Sequence, residues 1–439
     1  MNNHSLTIGI YGVASQSGRA YFADYLSKGY SVIGYNRQSE HGNKVINAIN
    51  KLKGINLERP ANSNNEDSRF IKMKTGDAAT SDISKLVLES DIIIIALPSI
   101  YHEDAVKTLC EAGIWKLRTP IVLSPSRSFA SPYLWRILGK NYPIVCFSTC
   151  PYSCKAPDET TSLIKRRKRT WIASLEGDFS NAQTQLLRTL FPQAALTDIP
   201  ALTSLNNIGA VFHCATYILN KEEIDFRKDN GQIFSFYMDG IANSPDVGKI
   251  LEDIDQIRLQ IASKLGLSVF GLKDNAREDI WRKLTNGLRA LEVENENDID
   301  VLRKIRALFM EYLNNSVISA QHWLDITYGV QRIEGESLSE AIGRTPTYQK
   351  NSVPQLRYVS EDIPTGLVVY EALAKIFAID CSVISSIINQ YNYLYSIDAR
   401  AQGRNLSGFS NDEIIQYLTG TELKTHEEKE KISNILLAL

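Results

Sequence analysis

Three residues of this chain could carry out chemistry together. Arg357 and Asp362 stand five positions apart, and His213 lies far upstream of both. An arginine can bind a carboxylate through a two-point fork, and a carboxylate beside a histidine can fix the imidazole tautomer and stabilise its charged form. Carbonyl reduction needs a fixed cation for the substrate and a group that delivers a proton. The three residues therefore predict a carbonyl-reducing dehydrogenase.

Each of these residues also has a structural explanation. His213 follows an apolar run, which is typical of a core histidine whose hydrogen bonds are satisfied. Asp362, with Glu361, stands at the front of an apolar helical pattern, where carboxylates complement the helix dipole. The catalytic interpretation therefore requires the fold to bring His213 and Asp362 within hydrogen-bond reach.

Length and composition predict a soluble globular chain of two domains. The sequence has 439 residues, of which 44% are hydrophobic and 22% charged, and its net charge is -2. The mixed charge gives no reason to expect nucleic-acid binding. No signal peptide is expected, and the longest apolar run near the front, residues 92–98, is far shorter than the roughly 20 residues that span a bilayer. A membrane partner is therefore not expected.

Cysteine usage predicts free thiols rather than a metal site. The chain has six cysteines, of which Cys146, Cys150 and Cys154 recur every four residues. A structural zinc site needs four converging ligands, usually from close cysteine pairs, and no second pair follows. We therefore predict no metal and a reducing compartment, the cytoplasm.

The first part of the chain has the pattern of a mononucleotide-binding unit. The pattern predicts a strand at residues 6–11, a turn at 12–18, a helix from there to Leu26 and a second strand at 30–35. The free N–H groups and dipole at the start of such a helix favour a phosphate. The pattern predicts an α/β Rossmann-like domain over residues 1–200.

The cofactor loop departs from the usual glycine pattern, reading G-x-A-x-x-S from Gly12. A tight turn without a ligand would explain it equally well. The second strand ends in a cation and a hydroxyl instead of an acidic residue, which favours a 2′-phosphate and hence NADPH, with NADH possible. The residues predicted to bind the cofactor are Gly12, Ala14, Ser15, Gln16, Ser17, Asn36, Arg37, Ser39 and Pro98. For Arg37 the alternative is a solvated surface side chain.

Further strands are predicted at residues 90–98, 119–123, 142–147 and 169–173. The apolar run at 92–98 suits a parallel strand that is covered on both faces, and Pro98 follows at the ligand-binding edge. The basic run from Lys165 to Arg169 precedes the last strand and is interpreted as a solvated turn rather than a nucleic-acid site.

After Pro200 the pattern becomes helical. Apolar positions recur at helical spacing in residues 247–265, 299–314 and 367–389. A mostly α-helical substrate-binding and catalytic domain is therefore predicted over residues 201–439. The apolar stripes fit an internal core and also a homodimer interface.

Three segments carry a resemblance that extends over the whole chain. They are Asn206-Asn207 to His213, Thr149-Cys150-Pro151-Tyr152-Ser153-Cys154-Lys155, and Arg357-Tyr358 followed by Glu361-Asp362-Ile363-Pro364-Thr365-Gly366-Leu367. With these segments the chain resembles the opine dehydrogenases, the family that includes octopine dehydrogenase. The resemblance implies a Rossmann-like domain joined to a helical domain, with substrates in the cleft between them.

The resemblance implies a reductive condensation. The amine of an amino acid attacks an α-keto acid, and hydride from a nicotinamide reduces the imine, which gives an N-(carboxyalkyl) amino acid. It also implies that His213 is the general acid/base, that Asp362 is its partner, and that Arg357 binds a substrate carboxylate. Asn206, Asn207 and Tyr348 are predicted to contact substrate, although the two asparagines would also suit helix caps.

The sequence departs from the family at Ala14, Ser17 and Cys214, where glycine, alanine and proline are common. It also has extra length near residues 40–75 and 275–330. This suggests a larger amine substrate, as in relatives that act on intermediates of nicotianamine-like metallophores.

Two other functions stay open. One is a single-substrate keto-acid or hydroxy-acid oxidoreductase, which a lysine general acid would support, and no lysine stands in a comparable motif. The other is a non-catalytic dinucleotide sensor, which would tolerate loss of His213.

Overall fold

The computed structural model describes residues 6–59, 68–168, 170–269 and 316–420, apart from 329, 331, 334, 350 and 351. The chain divides into two compact units, Met1–Asp198 and Ile199–Leu439. The first unit is built around a largely parallel sheet and the second is mostly helical, so the predicted fold class is confirmed.

The first unit contains twelve described strands and seven described helices. The strands are β1 (Thr7–Tyr11), β2 (Ser31–Tyr35), β3 (Gly54–Glu58), β4 (Arg69–Lys72), β5 (Ala78–Thr80), β6 (Ile92–Ile95), β7 (Ile121–Leu123), β8 (Ile144–Phe147), β9 (Tyr152–Lys155), β10 (Thr161–Arg167), β11 (Trp171–Glu176) and β12 (Ala194–Thr197). The helices are α1 (Gln16–Ser27), α2 (Glu40–Leu52), α3 (Ile83–Glu89), α4 (His102–Glu111), α5 (Ile114–Leu117), α6 (Ala130–Leu138) and α7 (Asn181–Leu190).

The main sheet has the order β12-β11-β8-β7-β6-β1-β2-β5. From β8 to β5 neighbouring strands are parallel, and β11 runs antiparallel to β8. All four residues of β6 are fully buried, because helices cover both faces of a parallel sheet. The carboxyl ends of β1, β2, β6, β7 and β8 therefore form one edge, where such folds bind ligands.

A second, four-stranded sheet has the order β4-β3-β10-β9. It includes β3 and β4, which lie in a polar stretch of the sequence, residues 40–84. The polar composition of residues 59–67 predicts a surface loop, of which only Arg59 lies within the described residues. Strand β10 pairs in parallel with β3 and antiparallel with β9, with a register shift between Ile164 and Arg166. This sheet packs against α1.

The second unit consists mainly of helices. They are α8 (Ala201–Ser204), α9 (Ile208–Leu219), α10 (Lys221–Asp229), α11 (Pro245–Lys264), α12 (Ala320–Tyr328), α13 (Leu338–Gly343), α14 (Arg357–Ser360), α15 (Val368–Ile376), α16 (Ser382–Tyr395), α17 (Ala399–Gln402) and α18 (Asn411–Thr419), with π-helical turns at Met238–Ala242 and Ile363–Leu367 and the short strands β13 (Ser268–Val269) and β14 (Ser316–Val317). The helical pattern at 367–389 is divided between α15 and α16, and 299–314 lies outside the described residues.

In the part of the chain that the structure describes, no helix combines the length and apolar character needed to cross a membrane.

Candidate active site

Helix α9 and the turn that follows Asp362 pack closely, and this contact brings two distant residues together. A Cβ atom on Gly366 would lie 2.7 Å from Cβ of Ala210 and 2.7 Å from the amide nitrogen of Asn207, so glycine is needed there. Gly366 follows Asp362 by one helical turn, and Ala210 precedes His213 by about the same distance along α9. As a result, Nδ1 of His213 lies 2.7 Å from Oδ2 of Asp362.

The burial of Asp362 and its hydrogen bond to His213 determine which nitrogen of the imidazole can exchange a proton. The side chain of Asp362 is 1% exposed, while that of His213 is 20% exposed. A carboxylate only accepts hydrogen bonds, so Nδ1 of His213 carries the proton that points to Asp362. The other ring nitrogen, Nε2, is then the atom that gains or loses a proton. The arrangement can therefore hold and transfer a proton at one defined nitrogen.

Aromatic side chains hold the imidazole on its other sides. The ring of Tyr358 stacks on that of His213, with centroids 4.1 Å apart. Phe236 contacts both rings, at centroid distances of 6.0 Å from His213 and 4.9 Å from Tyr358. Neither aromatic residue was predicted to hold the histidine, and the one signal in the sequence was the position of Tyr358 beside Arg357.

Arg357 lies on the exposed side of this aromatic cluster. Its guanidinium carbon is 5.6 Å from the centroid of the Tyr358 ring, and its Nε donates a hydrogen bond to Oε1 of Gln355 at 2.7 Å. The two terminal nitrogens are those that form a fork with a carboxylate. The structure thus connects Arg357 to His213 through one tyrosine ring.

The other residues predicted to contact substrate are buried. Asn206, Asn207 and Tyr348 are 8%, 1% and 3% exposed. The amide nitrogen of Asn206 donates to the carbonyl of Leu202 at 2.8 Å, and its oxygen accepts from Nη1 of Arg258 at 3.3 Å. Asn207 occupies the cap position of α9 without a side-chain cap bond. Both ends of the Asn206 amide are engaged inside the protein, and its contact with substrate stays a prediction.

The buried Arg258 was not predicted from the sequence. Its side chain is fully buried and pairs with Asp255 at 2.6 Å. It also donates to the carbonyl oxygens of Leu205 and Ile318, both at 2.5 Å. These bonds fasten the segment before α9 to α11, and the only signal in the sequence was a charged pair inside an apolar stripe.

The predicted cofactor loop joins β1 to α1 in a conformation that requires glycine. Gly12 has a φ of 96°, and a Cβ atom on Gly18 would lie 2.0 Å from the carbonyl oxygen of Gly12. Gly18 was not among the predicted cofactor residues, although it stands at the end of the predicted turn. The close approach of loop and helix thus depends on a glycine six positions after the first.

Two serines shape the start of α1. The hydroxyl of Ser15 accepts from the backbone N–H of Gly18 at 2.8 Å and donates to the carbonyl of Ala96 at 2.8 Å. Ser17 donates to the same carbonyl at 3.3 Å. Helix geometry leaves the backbone N–H groups of Gln16 and Ser17 for an anion. The loop therefore fits a phosphate that binds to backbone atoms at the N-terminus of α1.

The end of β2 presents one exposed cation. Asn36 donates to the carbonyl of Arg37 at 2.9 Å, and the hydroxyl of Ser39 accepts from the N–H of Gly42 at 3.0 Å as the cap of α2. Arg37 is exposed. Nε2 of His41 lies 3.2 Å from the carbonyl of Ala14, a contact that the sequence analysis did not predict.

Pro98 follows β6 and immediately precedes a single helical turn at Ser99–Tyr101. The side chain of Leu97, one residue earlier, packs at Gly12. Pro98 therefore lies on the same edge of the sheet as the predicted cofactor loop.

The prediction that the basic run forms a solvated turn is wrong for residues 165–168, and Arg169 lies outside the described residues. Lys165, Arg166 and Arg167 belong to β10. Arg167 binds the buried carboxylate of Asp24, and Nζ of Lys168 donates to the hydroxyl of Thr149. Burial lowers the pKa of Lys168 to about 8, with nearby Cys150 opposing the shift and the arginines Arg166 and Arg127 adding to it.

Among the described residues, no three histidine, cysteine or acidic side chains are grouped so that they could hold a metal ion. All six cysteines are free thiols.

Known proteins resemble this chain in sequence and in fold. Residues 201–395 match the family model described as NAD/NADP octopine/nopaline dehydrogenase, alpha-helical domain. An opine dehydrogenase of Arthrobacter sp. (strain 1C) is 23% identical over 410 residues, which cover 92% of this chain and 94% of the relative. A solved octopine dehydrogenase superimposes with a TM-score of 0.62 at 15% identity, covering 96% of this chain and 100% of the other. Yersinopine dehydrogenase superimposes with a TM-score of 0.59 at 13% identity, covering 100% of both chains.

A parallel sheet with a glycine-dependent loop after its first strand, followed by a helical unit, is the architecture of a two-domain dehydrogenase. The helical domain whose family model matches and the chain-long relative are both of octopine or opine dehydrogenases, which this chain resembles. The resemblance predicted from the sequence is confirmed.

Proposed function

We propose that this chain is an NAD(P)H-dependent opine dehydrogenase, which joins an amino acid to an α-keto acid and reduces the product to an N-(carboxyalkyl) amino acid. The family match supports the reaction class. Solved octopine dehydrogenases hold NADH with pyruvate or with L-arginine, and a solved yersinopine dehydrogenase holds NADP+. The observation that carries the proposal is the 2.7 Å contact between His213 and Asp362.

His213 is the general acid/base. During condensation, loss of water from the amine adduct needs a proton on the departing oxygen, and Nε2 of His213 supplies it. Asp362 accepts the hydrogen bond from Nδ1, which keeps the ring in one tautomer and stabilises its charged form. Asp362 is therefore a positioning residue that acts through His213.

Arg357 binds a substrate carboxylate. It is exposed, always charged, and held beside the Tyr358 ring. Asn206, Asn207 and Tyr348 are each no more than 8% exposed, so we assign them a supporting role. Their part in substrate binding is indirect.

The cofactor is NADPH, with NADH as a weaker alternative, and it supplies the hydride. The loop between β1 and α1 receives the phosphates of the cofactor, and its residues are Gly12, Ala14, Ser15, Gln16 and Ser17. The positive φ of Gly12 and the bond from the N–H of Gly18 to the Ser15 hydroxyl shape this loop at the start of α1. At the end of β2, the exposed Arg37 binds the 2′-phosphate, and Asn36 and Ser39 shape the turn around it. Pro98 lies on the same edge of the sheet, beyond β6.

The test is NADPH oxidation with pyruvate, 2-oxoglutarate or oxaloacetate, each alone and each with a panel of amino acids. We expect oxidation only when a keto acid and an amine are both present. His213→Ala should lower kcat by a factor of roughly 10² to 10⁴, the usual contribution of general acid/base catalysis. Asp253→Asn is the matched control, because Asp253 is an exposed aspartate in the same unit.

The outcomes separate the alternatives. Oxidation with a keto acid alone would identify a single-substrate oxidoreductase. NADPH binding without oxidation for any substrate pair, including larger amines, would favour the dinucleotide sensor. The homodimer stays a prediction, which light scattering can test. The cytoplasmic location also stays a prediction.

A further inference from the structure

The carbonyl oxygen of Ala14, in the loop between β1 and α1, is held by two side chains. Nη2 of Arg19, on α1, donates to it at 3.2 Å, and Nε2 of His41, on α2, lies 3.2 Å from it. A carbonyl oxygen only accepts hydrogen bonds, so Nε2 of His41 carries a proton. Two helices therefore hold the same peptide group of the loop.

Arg19 occupies an unfavourable position for a cation. It is the fourth residue of α1, close to the end of the helix that carries a partial positive charge, and it is only 4% exposed. Its guanidinium donates to the backbone carbonyls of Ala14 and Asp158, and its Nε is buried without a hydrogen-bond partner in the described part of the chain. Burying a cation that is bonded only to neutral groups costs free energy.

The acidic residues whose charges act on Arg19 do not contact it through their carboxylates. Asp158 contributes its backbone carbonyl, while its carboxylate accepts bonds from the N–H and the hydroxyl of Thr160 at 2.7 and 3.1 Å. Glu159 is exposed, so water screens its charge. Among the described residues, no carboxylate forms an ion pair with Arg19. An anion bound at the start of α1 would therefore offset the cost of burying this cation.

His41 connects the segment after β2 to the same loop. It follows Ser39, the cap of α2, by two residues, and it is exposed. A Cβ atom on Gly42 would lie 2.9 Å from the carbonyl oxygen of Arg37, so the start of α2 packs closely on the turn that follows β2. The imidazole joins this turn to the loop through its hydrogen bond to Ala14.

The orientation of the Ala14 carbonyl matters for an anion at the start of α1. A carbonyl oxygen repels an anion, whereas the free backbone N–H groups of Gln16 and Ser17 attract one. Because Arg19 and His41 engage this carbonyl, the peptide group of Ala14 is held in one orientation before a ligand arrives. A loop that is already ordered binds its ligand more tightly, since less ordering is needed on binding.

We propose that Arg19 and His41 are positioning residues for the diphosphate of the dinucleotide. Together they fix the Ala14 carbonyl, and the charge of Arg19 adds to the attraction for an anion at the start of α1. This inference rests on the proposed function. It concerns the phosphates that NADPH and NADH share, whereas Arg37 is assigned to the 2′-phosphate that only NADPH carries.

The first test compares His41→Ala with His41→Gln, which keeps an N–H donor at about the position of Nε2. His41 is exposed, so neither change should affect folding. We expect His41→Ala to raise Kd for NADPH and for NADH alike by about fivefold, the equivalent of one hydrogen bond of about 1 kcal/mol. His41→Gln should stay within about twofold of the wild-type Kd values. The control is Lys51→Ala, which removes an exposed cation from the last turn of the same helix.

The second test changes Arg19. Arg19→Met removes the charge and should raise Kd for both cofactors roughly tenfold or more, because a charge-assisted hydrogen bond is lost. Arg19→Lys keeps the charge and should raise both Kd values less. Should Arg19→Met fail to fold by circular dichroism, Arg19→Lys and the two His41 variants replace it.

Calorimetric titration with ADP and with 2′-AMP separates the two phosphate positions without turnover. ADP carries a diphosphate and 2′-AMP carries only the 2′-phosphate. His41→Ala and Arg19→Met should bind ADP more weakly than the wild-type protein does, and their Kd for 2′-AMP should stay within about twofold of the wild-type value.

Unchanged Kd values for both cofactors in His41→Ala would overturn the proposal, and would show that the backbone bonds from Gly12 and Val13 to the carbonyl of Tyr35 hold the loop without help. A loss of affinity confined to NADPH and 2′-AMP would overturn it as well, since His41 would then serve the 2′-phosphate. A wild-type protein that binds NADPH but turns over no substrate pair would refute only the proposed reaction, because the titrations do not depend on turnover.

Discussion

The ring of Tyr358 lies almost parallel to the imidazole of His213, with centroids 4.1 Å apart and planes inclined by 18°. Asp362 fixes one edge of the imidazole through Nδ1, and Tyr358 covers one face. The histidine can therefore neither swing away from Asp362 nor tilt without losing contact with the tyrosine. Because Tyr358 adjoins Arg357, the residue proposed to bind a carboxylate and the proposed proton donor, His213, are held by the same tyrosine.

Replacing Tyr358 tests this stacking. Tyr358→Leu removes the aromatic face while keeping an apolar side chain, and a stacked pair contributes about 1 kcal/mol beyond its buried area. We expect kcat to fall by a factor of about five to ten. Tyr358→Phe is the control that keeps the ring, and it should stay within about threefold of the wild-type rate. Equal rates for the leucine and phenylalanine variants would show that the ring does not orient His213.

A buried carboxylate joins helix α1 to the four-stranded sheet of the first unit. Asp24, on α1, accepts hydrogen bonds from Tyr152 at 2.7 Å and from Arg167, and it pairs with Lys28 at 3.0 Å. Burial alone would raise its pKa, but these partners, Arg167 first, hold the pKa of Asp24 below its ordinary value. We expect Asp24→Asn to lower the free energy of unfolding by about 2 kcal/mol, less than for a fully buried pair because Arg167 can reach water.

Urea titration measures this effect, with Tyr152→Phe as the companion variant. That change removes one hydrogen bond to Asp24 and should cost about 1 kcal/mol. An unchanged urea midpoint for Asp24→Asn would mean that the small sheet is held by apolar packing alone.

Glu371 should make the second unit sensitive to acid. Its side chain is 3% exposed and is bound by Arg400, Ser385 and Lys375. Although burial opposes ionisation, these hydrogen bonds lower the pKa of Glu371 to about 2. Because the folded pKa is below the unfolded value of about 4.3, the stabilisation is complete above that value and is lost as the pH falls towards 2. The effect amounts to at most about 3 kcal/mol.

Unfolding by urea at several pH values between 3 and 7 tests this prediction. Glu371→Gln should be less stable at pH 7 and should lose much of the wild-type pH dependence. Lys375→Met is the comparison, since Lys375 is an exposed partner of Glu371 and should contribute less than about 1 kcal/mol. If Glu371→Gln follows the wild-type pH curve, other carboxylates cause the acid sensitivity.

Local patterns were enough to predict part of this structure. The strand, turn and helix around Gly12 follow from apolar periodicity and a glycine, both of which act within a few residues. The partnership of His213 with Asp362 was predicted from chemistry and family resemblance, since no periodicity links residues so far apart. The contact that creates it, Gly366 against Ala210, depends on long-range packing.

Lys168 shows why the remainder was not predicted. A run of five cations usually indicates a solvated segment. In this chain the register of β10 shifts between Ile164 and Arg166, so the side chains that follow turn towards Asp24 and Thr149. A bulge of this kind depends on the partner strand β9 and leaves no mark in the composition of the run.

The choice between NADPH and NADH should depend on Arg37. It is the exposed cation at the end of β2, where Asn36 and Ser39 are engaged in shaping the turn. Arg37→Ala should raise Kd for NADPH roughly tenfold or more, since one charge-assisted contact with phosphate is lost, and should change Kd for NADH less than about threefold. Lys44→Ala is the matched control, because Lys44 is 61% exposed and pairs with Glu40 within α2, the helix that follows β2.

Fluorescence titration of both cofactors at two salt concentrations measures the effect, and the wild-type preference for NADPH should weaken at high salt. Equal loss of affinity for NADPH and NADH in Arg37→Ala would show that Arg37 contacts a part that the two cofactors share, and would remove the basis for an NADPH preference.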